Sequence, residues 1–291
     1  MLELLKPNFV TINGYKIHYL EAGTKEPVIL LMHGTPTNAY IWRNVIPGLS
    51  NTARVIAIDM IGFGKSDKPV NIEYDIQSYC EYLKKFIEIL NLKKIIIVGM
   101  DLGLIVGLSY AMANEEKIGG IVMFEGFIQP LEDTIKSFPV SAKILMQLSK
   151  SKKFAQKMFL KKGEKTVEQM ISMLTIRKIP KEDMNEYIIP MKDEAVRRKV
   201  WLEGIGPHTI LSKKVTDNVR EYSKKLCKSQ IPKLLLYAQP GSVINKKTIE
   251  YASKNISNLK VEFIGQGKHF LPEDQPENIS NAIVRFYQNI T

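Results

Sequence analysis

Cysteine is scarce in this chain of 291 residues. The two cysteines, Cys80 and Cys227, lie far apart in the sequence and form no CxxC pair. A disulfide framework or a cysteine-ligated metal requires more cysteines at closer spacing, so we expect neither. No other motif suggests a metal, and none suggests an organic cofactor.

Long apolar runs are absent too. No stretch reaches the ~18 apolar residues that a membrane-spanning helix requires. The first residues lack the charged start and the apolar run of a signal peptide, so we expect a cytoplasmic protein.

Acidic residues are outnumbered by basic ones. The chain has 41 Lys and Arg against 30 Asp and Glu, a formal net charge of +11. Such an excess is found in proteins that bind nucleic acids or membranes. Because the lysines are spread along the chain without a run of five or six, we expect a solvated basic surface with no nucleic-acid and no membrane partner. A monomer and a weak homo-oligomer both remain open.

Apolar strands and amphipathic helices alternate through most of the chain. The pair Asn13-Gly14 stands between two strand-like segments, which predicts a β-hairpin. The pattern places strands at 9–12, 15–21, 28–32, 54–59, 94–100, 118–125, 233–237 and 260–265. It places helices at 40–49, 74–92, 102–114 and 277–290. This alternation predicts an α/β fold with a mostly parallel, doubly wound sheet.

The alternation stops between about residue 129 and residue 218. This central region has the pattern of helices and loops, with frequent Met and Lys and no convincing strand. We therefore predict a helical cap at 129–218, inserted after the strand that ends at Glu125. Residues 1–128 and 219–291 would form the core domain.

Residues 99–103 (GMDLG) lie where a buried strand meets a helix. The flanking glycines allow a sharp turn that presents Asp101 above the sheet, as in a nucleophile elbow. A carboxylate nucleophile attacks an sp³ carbon that bears a leaving group, and the resulting alkyl ester is then hydrolysed by water. The alternative is that Asp101 only caps the helix.

The hydrolytic step needs a base, an orienting acid and an oxyanion hole. Of the four histidines, His18, His33, His208 and His269, only His269 follows the last predicted strand, where a doubly wound sheet collects active-site groups. The loop after residue 237 contains no acid, whereas Glu125 closes an apolar strand. We predict that His269 is the base, that Glu125 orients it, and that the backbone N–H groups of Thr35 and Leu102 bind the oxyanion.

Several motifs resemble the haloalkane dehalogenase family, an α/β-hydrolase family, over nearly the full chain. They are His-Gly-Thr-Pro-Thr at 33–37, Trp-Arg-Asn-Val-Ile-Pro at 42–47, DMIGFGKSDKP at 59–69, Met-Phe-Glu at 123–125, PKL at 232–234, QPG at 239–241 and Lys-His-Phe at 268–270. The resemblance implies the α/β-hydrolase fold and an Asp–His–Glu triad of Asp101, His269 and Glu125. It also implies a small apolar organic substrate and water as reactants.

Two positions depart from that family. The resemblance implies an Asn and a Trp that hold the leaving halide, but this chain has Thr35 and Leu102 at these positions. Leucine donates no side-chain hydrogen bond, and threonine offers one hydroxyl. The family's ester chemistry is therefore better supported by the sequence than its halide binding.

The sequence predicts a dehalogenase-like hydrolase and leaves two alternatives open. Phe127, Phe270, Tyr187 and Trp201 are candidates to line an apolar pocket. An epoxide hydrolase shares the Asp nucleophile and resembles a family that uses two cap tyrosines, for which Tyr187 is well placed and Tyr222 is marginal. A non-catalytic binding protein on a hydrolase fold is the alternative from another class, and the complete triad disfavours it.

Overall fold

The computed structural model describes residues 6–149, 151–204, 209 and 211–291. Within these ranges, eight strands form one sheet in the order β1-β2-β4-β3-β5-β6-β7-β8. The strands are β1 (Lys6–Ile12), β2 (Tyr15–Ala22), β3 (Ile29–Met32), β4 (Val55–Ile58), β5 (Ile95–Gly99), β6 (Ile118–Met123), β7 (Lys233–Pro240) and β8 (Leu259–Gly267).

The described α-helices fall into two groups. Those of the sheet domain are α1 (Ile46–Leu49), α2 (Ile76–Ile89), α3 (Asp101–Ala111), α11 (Lys246–Asn255), α12 (Leu271–Asp274) and α13 (Pro276–Ile290). Between β6 and β7 the chain forms α4 (Leu131–Lys136), α5 (Val140–Ser149), α6 (Lys152–Gln156), α7 (Gly163–Met173), α8 (Lys181–Ile188), α9 (Glu194–Val196) and α10 (Lys213–Lys228). Short π-helical turns follow α6 and α9.

The sheet is antiparallel at one edge and parallel elsewhere. β1 pairs with β2, and β2 with β4, in antiparallel register. The hairpin turn lies at Asn13 and Gly14, whose φ angles are +54° and +84°, as the Asn-Gly signal predicts. From β4 to β8 all pairs are parallel. The predicted α/β fold with a mostly parallel sheet is confirmed.

Buried strands place the centre of the hydrophobic core at the middle of the sheet. Every residue of β3, β4 and β5 is buried, as the runs of Ile, Leu and Val predict for strands covered on both faces. The amphipathic helix predicted at 74–92 is α2. Asp75 caps the start of this helix, where its side chain accepts a hydrogen bond from the N–H of Ser78. The carboxyl ends of the parallel strands therefore lie at one edge of the sheet, where the residues of the candidate site meet.

Two predicted elements end earlier or divide. The helix predicted at 40–49 is a 3₁₀ turn (Ala39–Trp42) followed by the short α1. Pro47 fits only in the first turn of a helix, so a helix cannot run through it. The strand predicted to reach Glu125 ends at Met123, because Glu125 has a φ of +43° and turns the chain away.

Among the described residues, the segment between β6 and α10 forms helices and turns, and the helical cap at 129–218 stays a prediction. The proposed boundary at 218/219 falls within α10, which is a continuous helix. This helix packs on α3, and Ser109 donates a hydrogen bond to Asn218 at 2.9 Å. We therefore propose that the cap ends before Lys213.

None of the helices in the described ranges is both long enough and apolar enough to span a membrane.

Candidate active site

The turn at the carboxyl end of β5 holds Asp101 in an unusual backbone conformation. Its φ of +49° lies in the left-handed region that L residues rarely adopt. A Cβ on Gly34 would lie 2.5 Å from the Cβ of Asp101, and a Cβ on Gly103 would lie 2.4 Å from the carbonyl oxygen of His33. The strained turn is thus held by close packing that only glycine permits at these two positions.

The two carboxylate oxygens of Asp101 have different surroundings. Oδ1 accepts a hydrogen bond from the backbone N–H of Thr35 at 2.8 Å and another from the Thr35 hydroxyl at 2.9 Å. Oδ2 lies 3.5 Å from Nε2 of His269. One oxygen is therefore fixed by donors, and the other faces the imidazole.

Glu125 lies on the far side of the imidazole. Its Oε2 is 3.4 Å from Nδ1 of His269, and its side chain is fully buried. The backbone N–H groups of Ser242 and Val243 donate to this carboxylate at 3.1 and 2.8 Å. These donors compensate the desolvation of a buried charge. Sequence analysis missed them, because backbone donors have no side-chain signature.

Two turns of the site are joined through the main chain. The backbone N–H of Asp101 donates to the carbonyl oxygen of Glu125 at 3.1 Å. Both residues have positive φ angles. The geometry at the ends of β5 and β6 is therefore coupled, and the structure brings together Asp101, His269 and Glu125 in the predicted order.

Burial and charge act in opposite directions on the pKa values of the site. Burial raises the pKa of Asp101, but the hydrogen bond and charge of His269 and the N–H groups of Thr35 and Leu102 lower it below its usual range. Burial lowers the pKa of His269, but Asp101 and Glu125 raise it to about 9. The resting site therefore favours an imidazolium between two carboxylates.

The other histidines have different surroundings. His33 accepts the Met60 N–H through Nε2 at 3.1 Å, and its Nδ1 lies 2.9 Å from a backbone carbonyl oxygen. Burial lowers the pKa of His33, which favours the neutral form and supports a structural role. Nδ1 of His18 lies 2.7 Å from Asp59, and His208 lies outside the described residues.

The two positions that carry halide donors in the resembled family have other roles here. The Thr35 hydroxyl donates to Asp101 itself. The Leu102 side chain is aliphatic and almost fully buried, and only its backbone N–H interacts with Asp101. Both backbone donors therefore lie at the nucleophile, while neither side chain provides a free donor for a leaving group.

Two of the predicted pocket aromatics lie beside the triad's own segments. The ring of Phe270 is buried and packs edge-on against His269, with ring centroids 4.9 Å apart. Phe127 is buried two residues after Glu125, and its carbonyl oxygen accepts a hydrogen bond from the Tyr222 hydroxyl. Their roles in substrate binding remain predictions.

The other two predicted pocket residues are engaged with the protein. The buried hydroxyl of Tyr187 donates a short hydrogen bond to Glu273 and accepts one from Arg43. Trp201 is buried and packs edge-on against Phe63, with centroids 5.7 Å apart. These contacts support structural roles for both residues, and their place in a substrate pocket stays a prediction.

A buried ion cluster joins the cap to the core. Arg43, only 6% exposed, donates to Glu273 at 2.6 Å and to Asp183 of α8 at 2.6 Å. Arg177 lies 3.6 Å from each of the same two carboxylates. Sequence analysis assigned no role to this cluster, because its members come from four separate segments.

The cluster lies beside the histidine loop. The backbone N–H groups of His269 and Phe270 both donate to the carbonyl oxygen of Leu174, directly after α7. Asp274 accepts from the backbone N–H groups of Ile176 and Arg177. The loop of His269 is therefore held by the segment after α7 as well as by the sheet domain.

Replacing Arg43 by methionine is expected to destabilise the fold by about 3–5 kcal/mol, because it removes the main partner of Glu273, which is buried, and of Asp183, which is partly buried. The free energy of unfolding in urea measures this loss. Arg198→Gln is the matched control, since Arg198 forms an exposed pair with Glu194 and is expected to cost about 0–1 kcal/mol. Equal stabilities of the two variants would show that the cluster contributes nothing.

No group of three or more His, Cys, Asp or Glu suited to hold a metal ion occurs within the described ranges.

Comparison with known proteins identifies relatives over most of the chain. The model of the α/β hydrolase fold family matches residues 27–276. A haloalkane dehalogenase of Sphingobium indicum is 31% identical over 289 residues, which cover 97% of this chain and 95% of that protein. A haloalkane dehalogenase of Agrobacterium fabrum is 27% identical over 275 residues, covering 93% and 88%.

Solved structures agree with the sequence comparison. The crystal structure of a haloalkane dehalogenase from Bradyrhizobium elkani superposes with a TM-score of 0.89 and 25% sequence identity. The match covers 98% of this chain and 98% of that one. Both the cap and the core are thus included in the likeness.

Proposed function

Because the chain belongs to the haloalkane dehalogenase family of the α/β-hydrolases, we propose that it hydrolyses the carbon–halogen bond of a small apolar organic substrate. The observation that carries this proposal is the series Asp101–His269–Glu125, with contacts of 3.5 and 3.4 Å. The carboxylate lies on a strained turn beside an imidazole, which favours an ester intermediate over direct attack by water.

In the first step, Oδ2 of Asp101 attacks the carbon that bears the halogen. The new C–O bond forms as the carbon–halogen bond breaks, and the halide leaves with the bonding pair. Oδ1 keeps its hydrogen bonds from Thr35 and becomes the carbonyl oxygen of the ester. The reaction is thus assigned to the oxygen that is free of these donors.

In the second step, His269 removes a proton from water, and the resulting hydroxide attacks the carboxyl carbon of Asp101. The negative charge develops on Oδ1, beside the backbone N–H groups of Thr35 and Leu102. Collapse expels the alcohol, which takes a proton from His269 and leaves the Asp101 carboxyl group protonated. That proton then passes to His269, which restores the carboxylate beside an imidazolium. Glu125 orients the imidazole and stabilises its charged form.

Formation of the ester itself prepares the base. The Asp101 carboxylate is one of the groups that raise the pKa of His269 to about 9, and it becomes neutral in the ester. The pKa of His269 therefore falls after alkylation, since one of its two anionic neighbours is lost. The imidazolium then releases its proton to solvent, and the neutral imidazole can accept a proton from the attacking water.

The site offers little stabilisation to the leaving halide. A preorganised donor contributes about 10²–10³-fold to the rate of a step in which charge develops. With Thr35 bonded to Asp101 and an aliphatic side chain at Leu102, this stabilisation is small. The first step is therefore expected to limit turnover.

We expect halide release from the iodo-, bromo- and chloro-derivatives of butane to fall steeply in that order, because the leaving halide receives little help. An ion-selective electrode measures the rates. In Thr35→Asn, which adds an amide donor, the ratio of the rate with bromobutane to the rate with chlorobutane should fall about tenfold. Equal rates for all three halides in the unchanged protein would contradict this account.

Epoxide hydrolysis is less well supported. The hydroxyl of Tyr222 donates to a backbone carbonyl at 2.7 Å, and that of Tyr187 donates to Glu273. Neither is free to protonate an epoxide oxygen. Diol release from styrene oxide, measured beside halide release from bromobutane, separates the two activities.

A non-catalytic role is disfavoured by the assembled triad, and the absence of both products would support it.

A further inference from the structure

Most of the chain's net positive charge comes from one segment of the cap. Residues 134–163 contain eight lysines and no acidic residue, so they carry +8 of the net charge of +11 and leave +3 for the other residues. Lys153, Lys157, Lys161 and Lys162 are exposed, and none has an acidic partner within the described ranges. This basic segment is therefore unlike the remaining surface.

The same segment exposes an apolar stripe. Val140, Ile144 and Leu148 lie one helical turn apart on α5 and are 71%, 56% and 49% exposed. Residues at this spacing share one face of a helix. The helices α5 and α6 are neighbours, and the π-helical turn follows α6 directly, so the stripe and these lysines belong to the same part of the cap.

We propose that this apolar and basic face, residues 140–149 and 151–162, docks on a membrane surface that carries anionic lipids. Aliphatic side chains insert at the boundary of headgroups and acyl chains, while flanking lysines bind the negative headgroups. A second copy of the chain is a poor occupant, because two such faces repel each other. A nucleic acid would use the lysines and leave the aliphatic stripe exposed. The proposal does not depend on the reaction at Asp101.

This inference changes the expectation from sequence that no membrane partner exists. The lack of a run of five or six basic residues predicts only a solvated surface. The structure adds three exposed aliphatic side chains on a helix of the basic segment. Exposed contiguous apolar surface of this kind marks an interaction site.

Co-sedimentation with lipid vesicles tests the proposal on the full chain. The protein is expected to sediment with vesicles of phosphatidylcholine and phosphatidylglycerol in equal parts, to remain in solution with phosphatidylcholine alone, and to be released by salt. Lys153→Gln/Lys157→Gln/Lys161→Gln is expected to weaken binding about a hundredfold, at about 1 kcal/mol per lysine.

The stripe is tested separately from the charge. Ile144→Ser/Leu148→Ser is expected to weaken vesicle binding about tenfold while circular dichroism stays unchanged, because both side chains are exposed. The matched control is Val70→Ser/Ile89→Ser, which replaces two exposed aliphatic residues outside the cap and should bind as the unchanged protein does.

Two results would overturn the proposal. The first is failure of the unchanged protein to bind the anionic vesicles at low salt. The second is binding to double-stranded DNA as tight as to vesicles, with the Ile144→Ser/Leu148→Ser variant unaffected on both. That second result would assign the face to polyanions in general.

Discussion

Asp101→Asn is expected to lower halide release by about 10⁴-fold or more, because the carboxamide is too weak a nucleophile to form the ester. The substitution preserves the shape of the side chain. Asparagine also tolerates the positive φ that the elbow imposes, so the variant is expected to fold. Steady-state halide release with bromobutane, together with a thermal melt, measures both effects.

The control for Asp101→Asn is Asp217→Asn, which removes a carboxylate from an exposed ion pair on α10. Its activity should equal that of the unchanged protein. If the Asp101 variant were folded and kept more than about a tenth of the activity, another group would have to be the nucleophile.

His269→Gln is expected to separate the two halves of the reaction. Without a base, hydrolysis of the ester should slow about 10³-fold, within the usual range of about 10²–10⁴-fold for general base catalysis, and become the slowest step. Alkylation needs no base, so one equivalent of halide should still be released per protein molecule. Rapid-quench measurement of halide against protein concentration detects this single burst.

A second readout comes from the stability of the same variant. In the unchanged protein, the pKa of His269 is raised from its ordinary 6.5 to about 9. The stabilisation from this shift is fully present below the ordinary pKa and is lost as the pH rises through about 9. The Gln variant should lack this part of the alkaline loss of stability. Loss of both burst and turnover in a folded variant would contradict the proposed order of steps.

Parts of the fold whose cause is local were predictable. The Asn13-Gly14 turn, the buried strands and the amphipathic α2 follow from patterns of neighbouring residues. The division of the helix predicted at 40–49 was also within reach, because Pro47 excludes a continuous helix. The exact strand end before Glu125 depends on a backbone angle that the residue type does not reveal.

The candidate site was predictable for its side chains and less so for their partners. Asp101, Glu125 and His269 follow strands, so the order of a parallel sheet predicts that they meet. The amides of Ser242 and Val243 contact the Glu125 carboxylate across more than a hundred residues of sequence. Such long-range backbone contacts depend on the path of a loop, which sequence patterns do not determine.

The cap illustrates the same limit. Tyr187 is a pocket candidate by its position in the cap, and in the structure its hydroxyl donates to Glu273 in the cluster with Arg43. The exposed stripe on α5 has the same helical spacing as a buried face. Only the packing of neighbouring helices distinguishes these cases.

A single turnover in water labelled with oxygen-18 tests whether Asp101 forms the ester. The protein is mixed in excess with bromobutane, and the Asp101 peptide and the butanol are then analysed by mass spectrometry. We predict that the label enters the carboxylate of Asp101, while the alcohol carries unlabelled oxygen from the protein. Labelled butanol together with an unlabelled Asp101 would show that water attacks the substrate directly and would contradict the proposed mechanism.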